Sequence, residues 1–160
     1  MVFLRRKLAE RYAGALVLGV NDAIVEMLGA LTGFTFALKD PHMVASLGLI
    51  TGIAAALSMA ASEFLAVSED NKGKPFFSSL LTGSSYIISV LLLVFPYYLL
   101  SNLLQAWVLS LLVAIAIIAL YNGYISYFKH ERFMPRFLKM LIISLGVTGI
   151  SYVIGSLVKG

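Results

Sequence analysis

The chain has 160 residues, 60% of them hydrophobic and only 12% charged, with a formal net charge of +4. A soluble domain carries about 25% charged residues, so this chain could not cover a water-facing globular surface, and its long apolar runs point to an all-α integral membrane protein, one domain over residues 1–160. It contains no Cys, which excludes disulfides, thiolate metal sites and a cysteine nucleophile.

Five apolar runs are each long enough to cross a bilayer as a helix. The first covers about 12–38 and follows Arg5-Arg6-Lys7. Such a start has the look of a signal peptide. The run is too long for one, lacks a small-residue cleavage site and holds two acids, so it reads as a retained span. The acids, Asp22 and Glu26 in Asn-Asp-Ala-Ile-Val-Glu-Met-Leu-Gly-Ala-Leu-Thr-Gly (21–33), are the centre of the sequence. Four residues apart on a helix, they lie roughly 40° apart on one face and about 6 Å apart along the axis. An ionised acid at that depth costs on the order of 3 kcal/mol. The pair must therefore face protein, water or a cation.

Lys39-Asp40-Pro41-His42 breaks the chain before the second span, about 43–68. Gly48, Gly52, Ala56 and Ala60 recur there every four residues, a pattern that lets helices approach closely in lipid. Gly29 and Gly33 in span 1, and Gly146, Gly149 and Gly155 in span 5, carry the same expectation. Span 2 also holds Glu63, with Met59 one turn before it. Folding spans 1 and 2 as a hairpin about residues 40–41 sets Met59 level with Asp22, Ala55 with Glu26 and Leu18 with Glu63. Glu63, the Asp22–Met59 level and Glu26 then form a ladder with steps of roughly 6 Å.

Span 3 runs about 76–100, span 4 about 103–128 and span 5 about 137–158. The intervening breaks are residues 68–75, Ser101-Asn102 and residues 129–136, which contain Pro135. Tyr97, Tyr98, Trp107, Tyr124, Tyr127 and Phe128 fall near span ends, as an aromatic belt would. His42 and His130 lie at loops and read as interfacial. With five spans, ten of the twelve Lys and Arg fall on one side, Lys39 and Lys159 being the exceptions. The positive-inside rule then puts the N-terminus in the cytoplasm and the C-terminus across the membrane. The basic groups are topology signals, and no nucleic-acid partner is expected.

Asp22, Glu26, Met59 and Glu63 are the candidate metal ligands. Carboxylates take hard and borderline divalent ions, and a thioether adds preference for transition metals over magnesium or calcium. Iron(II) and manganese(II) suit that mixture, whereas the His and Cys ligands usual for zinc are absent from the spans. The span serines and threonines have no His partner for a Ser-His hydrolase, and no glycine loop would cradle phosphate. No enzyme activity, catalytic residue or tightly bound cofactor is expected; the metal is cargo.

Three segments resemble the vacuolar iron transporter family: Asn21-Asp22 through Gly33; Leu57-Ser58-Met59-Ala60 with Glu63-Phe64-Leu65; and Gly149-Ile150-Ser151-Tyr152-Val153-Ile154-Gly155. The second is the most specific. The resemblance implies a homodimer whose first helices line a cation path between subunits. It also implies proton-coupled export of iron(II), with manganese(II) as a second cargo, out of the cytosol. The host would be a plasma membrane in a prokaryote or a vacuole-like membrane in a eukaryote. Asp22 and Met59 match the family's pathway aspartate and methionine, and Glu63 an acid near the cytosolic mouth. Ala23 replaces the usual Gly. Glu26 stands where many members are apolar, so its role is not carried over. Eukaryotic members insert a cytosolic metal-binding domain between spans 2 and 3, where this chain has only Glu69 to Pro75, a short form. Two rivals use the same residues. One is a small dimeric proton-coupled antiporter of organic cations built around Glu26, and the other a non-transporting membrane scaffold held by the small-residue ladders.

Overall fold

A computed structural model describes residues 2–70, 73–129 and 131–158, with side-chain surroundings described for 12–70, 73–127 and 131–158. The side chains of Arg5, Arg6, Lys7, Arg11, Lys72, Phe128, Lys129, His130 and Lys159 lie outside the described set. The expectations for them stand as sequence readings. The described chain forms five helices: α1 Val2–Ala37, α2 Pro41–Glu69, α3 Pro75–Leu99, α4 Leu103–Lys129 and α5 Phe133–Val158. All five are long and apolar enough to cross a membrane. Large apolar side chains such as Ile50, Leu57, Phe76, Leu120 and Leu157 point outward, which suits a surface bathed in lipid. The protein is a multi-pass integral membrane protein.

Local chemistry sets the helix ends. Asp40 caps α2, its Oδ1 accepting the backbone N–H of His42 at 2.7 Å and of Met43 at 3.4 Å. Pro41 and Pro75 open their helices at the first turn, where a missing N–H costs nothing. Gly73, between α2 and α3, has φ 101°, a left-handed conformation that other residues adopt at a cost. Two boundaries differ from the sequence reading. Helix α1 continues back to Val2 through the basic segment, and α5 begins at Phe133 rather than about 137. Pro135, expected in the break, falls instead in the first turn of α5, where Pro is tolerated.

Helix α3 is the most enclosed of the five, with half of its most apolar stretch buried against 17% for α5. Its buried face includes Ser78, Ser79, Thr82, Gly83, Ser85, Tyr86 and Ser89, and it packs on both α1 and α2. Thr82 Oγ1 donates to the Ala15 carbonyl at 3.1 Å, and Ser85 Oγ to the Thr82 and Leu16 carbonyls at 3.0 and 3.4 Å. Gly19 allows that approach, since a Cβ there would run into Ser85 Oγ and the Thr82 carbonyl. The α2 ladder meets the same helix. Gly52 faces Val90, Gly48 faces Leu31 and Val94, and Gly83 of α3 lies against Ala60 and the Ala56 carbonyl. The contacts that such a ladder predicts are therefore made.

On its other side α1 packs against α5, where a Cβ on Gly155 would strike the Gly33 backbone. Gly29 faces Val147 and Ser151, so Gly29 and Gly33 are taken up within the chain. Gly146 and Gly149, expected to mark close contacts, have open space where a Cβ would stand, with nothing within 4 Å. They lie on the face of α5 turned away from α1. The aromatic belt also needs correction. Tyr97 is fully buried and its hydroxyl shares a hydrogen bond with Thr35 at 2.8 Å. Trp107 donates its indole N–H to Thr32 Oγ1 at 3.0 Å. Both tie α1 to its neighbours, because a ring with a polar tip finds a partner when it is enclosed. Tyr98, Tyr124 and Tyr127 do face outward, and His42 is exposed beside Tyr98.

Candidate metal site

Midway along α1, Asp22 and Glu26 lie one turn apart beside the second half of α2. Together with Ala55, Ser58, Met59 and Ser62 they line a cleft of about 200 Å³. A water occupies about 30 Å³ of liquid, so the cleft has room for an ion with part of its hydration shell. The hairpin register therefore brings Asp22 and Met59 together, and Glu26 with Ala55, as the sequence arithmetic requires. Asp22 and Met59 are half-buried, and Glu26 is exposed. Ser58 and Ser62 add two hydroxyl oxygens to the two carboxyl groups and the sulfur.

Helix α3 reaches the site from behind. Tyr86 is fully buried, and its hydroxyl donates to Glu26 Oε2 at 2.5 Å. A phenol donating to a carboxylate is a charge-assisted bond of the strong kind. It fixes one Glu26 oxygen and leaves Oε1 able to turn toward a cation. Sequence reasoning does not single out Tyr86. The available signal is a tyrosine in mid-span, far from the ends where belt tyrosines sit, which must bond to something.

Glu63 does not join this cleft. It lies one turn beyond Met59 on α2, half-buried, where Ser78 Oγ donates to its Oε1 at 2.5 Å. No group of three or more His, Cys, Asp or Glu is placed to hold a metal among the described residues. The arrangement is thus an open carboxylate–thioether cleft with a separate acid on one side, and not a closed structural site. Two like charges a turn apart repel, and a divalent cation between them removes that cost.

Five membrane-length helices, two of which line this cleft, define a multi-pass membrane protein with an acid- and thioether-lined cleft. Residues 13–72 match the family model described as the VIT family. The match covers 60 of the 160 residues. It takes in α1 from residue 13, all of α2, and all four candidate ligands, Asp22, Glu26, Met59 and Glu63. It points to membrane transport of metal ions. No curated protein matches the chain.

Proposed function

We propose that the protein is a divalent transition-metal transporter that exports iron(II), with manganese(II) as a second cargo, from the cytosol by proton antiport. The observation that carries this reading is the cleft where Asp22, Glu26 and Met59 meet. Its oxygens suit divalent ions and its sulfur favours transition metals over calcium. Glu63 stands outside the cleft as an earlier stop on the path. Orientation follows the basic bias, with the N-terminus cytoplasmic and the C-terminus opposite.

Ligand chemistry gives antiport without a separate proton path, provided that the site opens alternately to each side. Metal binding needs ionised carboxylates, so protons and metal compete for the same oxygens, and binding one releases the other. An acidic far side unloads metal, and a near-neutral cytoplasm reloads the site. The exposure of Glu26 supports a homodimer in which two such clefts share one path, because a two-fold axis brings equivalent residues together.

The test is ligand protection of the purified protein against thermal unfolding. Manganese(II), cobalt(II) and anaerobic iron(II) should raise the midpoint and Asp22→Asn should remove the effect. Protection by aromatic cations and not by metals would favour the organic-cation antiporter. Protection by neither would favour the scaffold.

A further inference from the structure

A second cleft, of about 320 Å³, lies on another face of α1 and is lined by Asn21, Asn122, Arg136, Lys139, Met140 and Ile143. Asn21 and Asp22 are neighbours in sequence but about 100° apart around the helix. Helix α1 therefore separates a cleft lined by acids from one lined by two cations and no acid. The second cleft has its charged groups near one end of the bundle and reaches inward to the level of Asn21. Arg136 is three residues into α5, about 4.5 Å along its axis, and Asn122 is in the last two turns of α4.

Topology signals alone do not require a built cleft, and the side chains here are arranged further. Glu131 holds Arg136 through Nη1, which fixes the guanidinium while its Nε stays buried with no partner among the described residues. The Tyr121 hydroxyl, beside Asn122 in sequence but outside the lining of the cleft, is also buried with no partner among the described residues. Asn122 uses one N–H on the Ile118 carbonyl at 2.8 Å, leaving its second N–H and its carbonyl oxygen. Lys139 is exposed and makes no ion pair with a described residue. Buried donors without partners are costly. What is missing is a compact acceptor of negative charge.

We propose that this cleft between α1, α4 and α5 binds a phosphate group, held by Arg136 and Lys139 with the amides of Asn21 and Asn122 completing the shell. Guanidinium and ammonium groups together with neutral donors suit phosphate oxygens. The chemistry is shared by an anionic lipid headgroup and by free phosphate, and Arg136 and Lys139 stand near the start of α5, at the end of the bundle where headgroups lie.

The full-length protein in detergent should be titrated with dioctanoyl phosphatidylglycerol, dioctanoyl phosphatidylcholine and inorganic phosphate, reading the unfolding midpoint. Phosphatidylglycerol should stabilise saturably and phosphatidylcholine should not. Lys139→Gln should weaken that binding about tenfold, as loss of one charged hydrogen bond would. Arg132→Gln, exposed at the same membrane end but outside the cleft, should leave it unchanged. Stabilisation by inorganic phosphate as well would assign the site to phosphate in general, and its absence to the lipid headgroup. Equal effects of the two lipids would overturn the proposal. So would equal losses in Lys139→Gln and Arg132→Gln, which would reduce the attraction to surface charge.

Discussion

Replacing Tyr86 with Phe removes one oxygen from the proposed site and little else. The ring is fully buried, so Phe fills the same space and the packing of α3 is kept. What is lost is the 2.5 Å bond to Glu26 Oε2. A hydrogen bond to a charged group contributes about 1.5–3 kcal/mol. Glu26 is exposed, so water recovers part of this, leaving about 1–1.4 kcal/mol. That corresponds to about five- to tenfold weaker metal binding. Manganese(II) binding, measured by calorimetry on wild type, Tyr86→Phe, Glu26→Gln and the double variant, gives a complete cycle. Tyr86→Phe should cost less once Glu26 is Gln, because the neutral amide oxygen accepts a weaker bond from the phenol. Unchanged affinity in Tyr86→Phe, or the same additional loss in the Glu26→Gln background, would refute a role for the phenol in positioning Glu26.

Two other substitutions probe separate parts of the account. Met59→Leu keeps volume and should cost less than about 1.5 kcal/mol in stability, while iron(II) and cobalt(II) transport fall more than any calcium leak; equal losses for all ions with poorer protein yield would make Met59 a packing residue. Gly155→Ala places a Cβ against the Gly33 backbone and should destabilise by about 1–3 kcal/mol, seen as a lower unfolding midpoint; an unchanged midpoint would show that α1 and α5 are not in that contact.

The five spans and the Asp22–Met59 level were legible because each depends on a simple regularity. Apolar length gives the spans, and 1.5 Å per residue about a short turn gives the depth. The role of α3 was not legible. Ser78, Thr82, Ser85 and Tyr86 are scattered polar residues in an apolar run, and which carbonyl or carboxylate each meets depends on helix packing that no local pattern encodes. Tyr97 and Trp107 show the same limit. Their sequence positions suit a belt, but their polar tips turn inward to Thr35 and Thr32. Glu63 shares a helix face with Met59, yet Ser78 draws it out of the shared cleft. Pro135 misleads because a proline marks a break only when it falls beyond the first helical turn.

The central claim is that one acid pair binds metal and proton in turn. Purified protein in liposomes, with manganese(II) uptake followed as the interior is set between about pH 5.5 and 7.5, tests it most directly. Uptake should rise as the receiving side is made acidic, and Asp22→Asn should abolish it. Uptake that follows the metal gradient alone, indifferent to the pH difference, would contradict the account and make the protein a channel or uniporter.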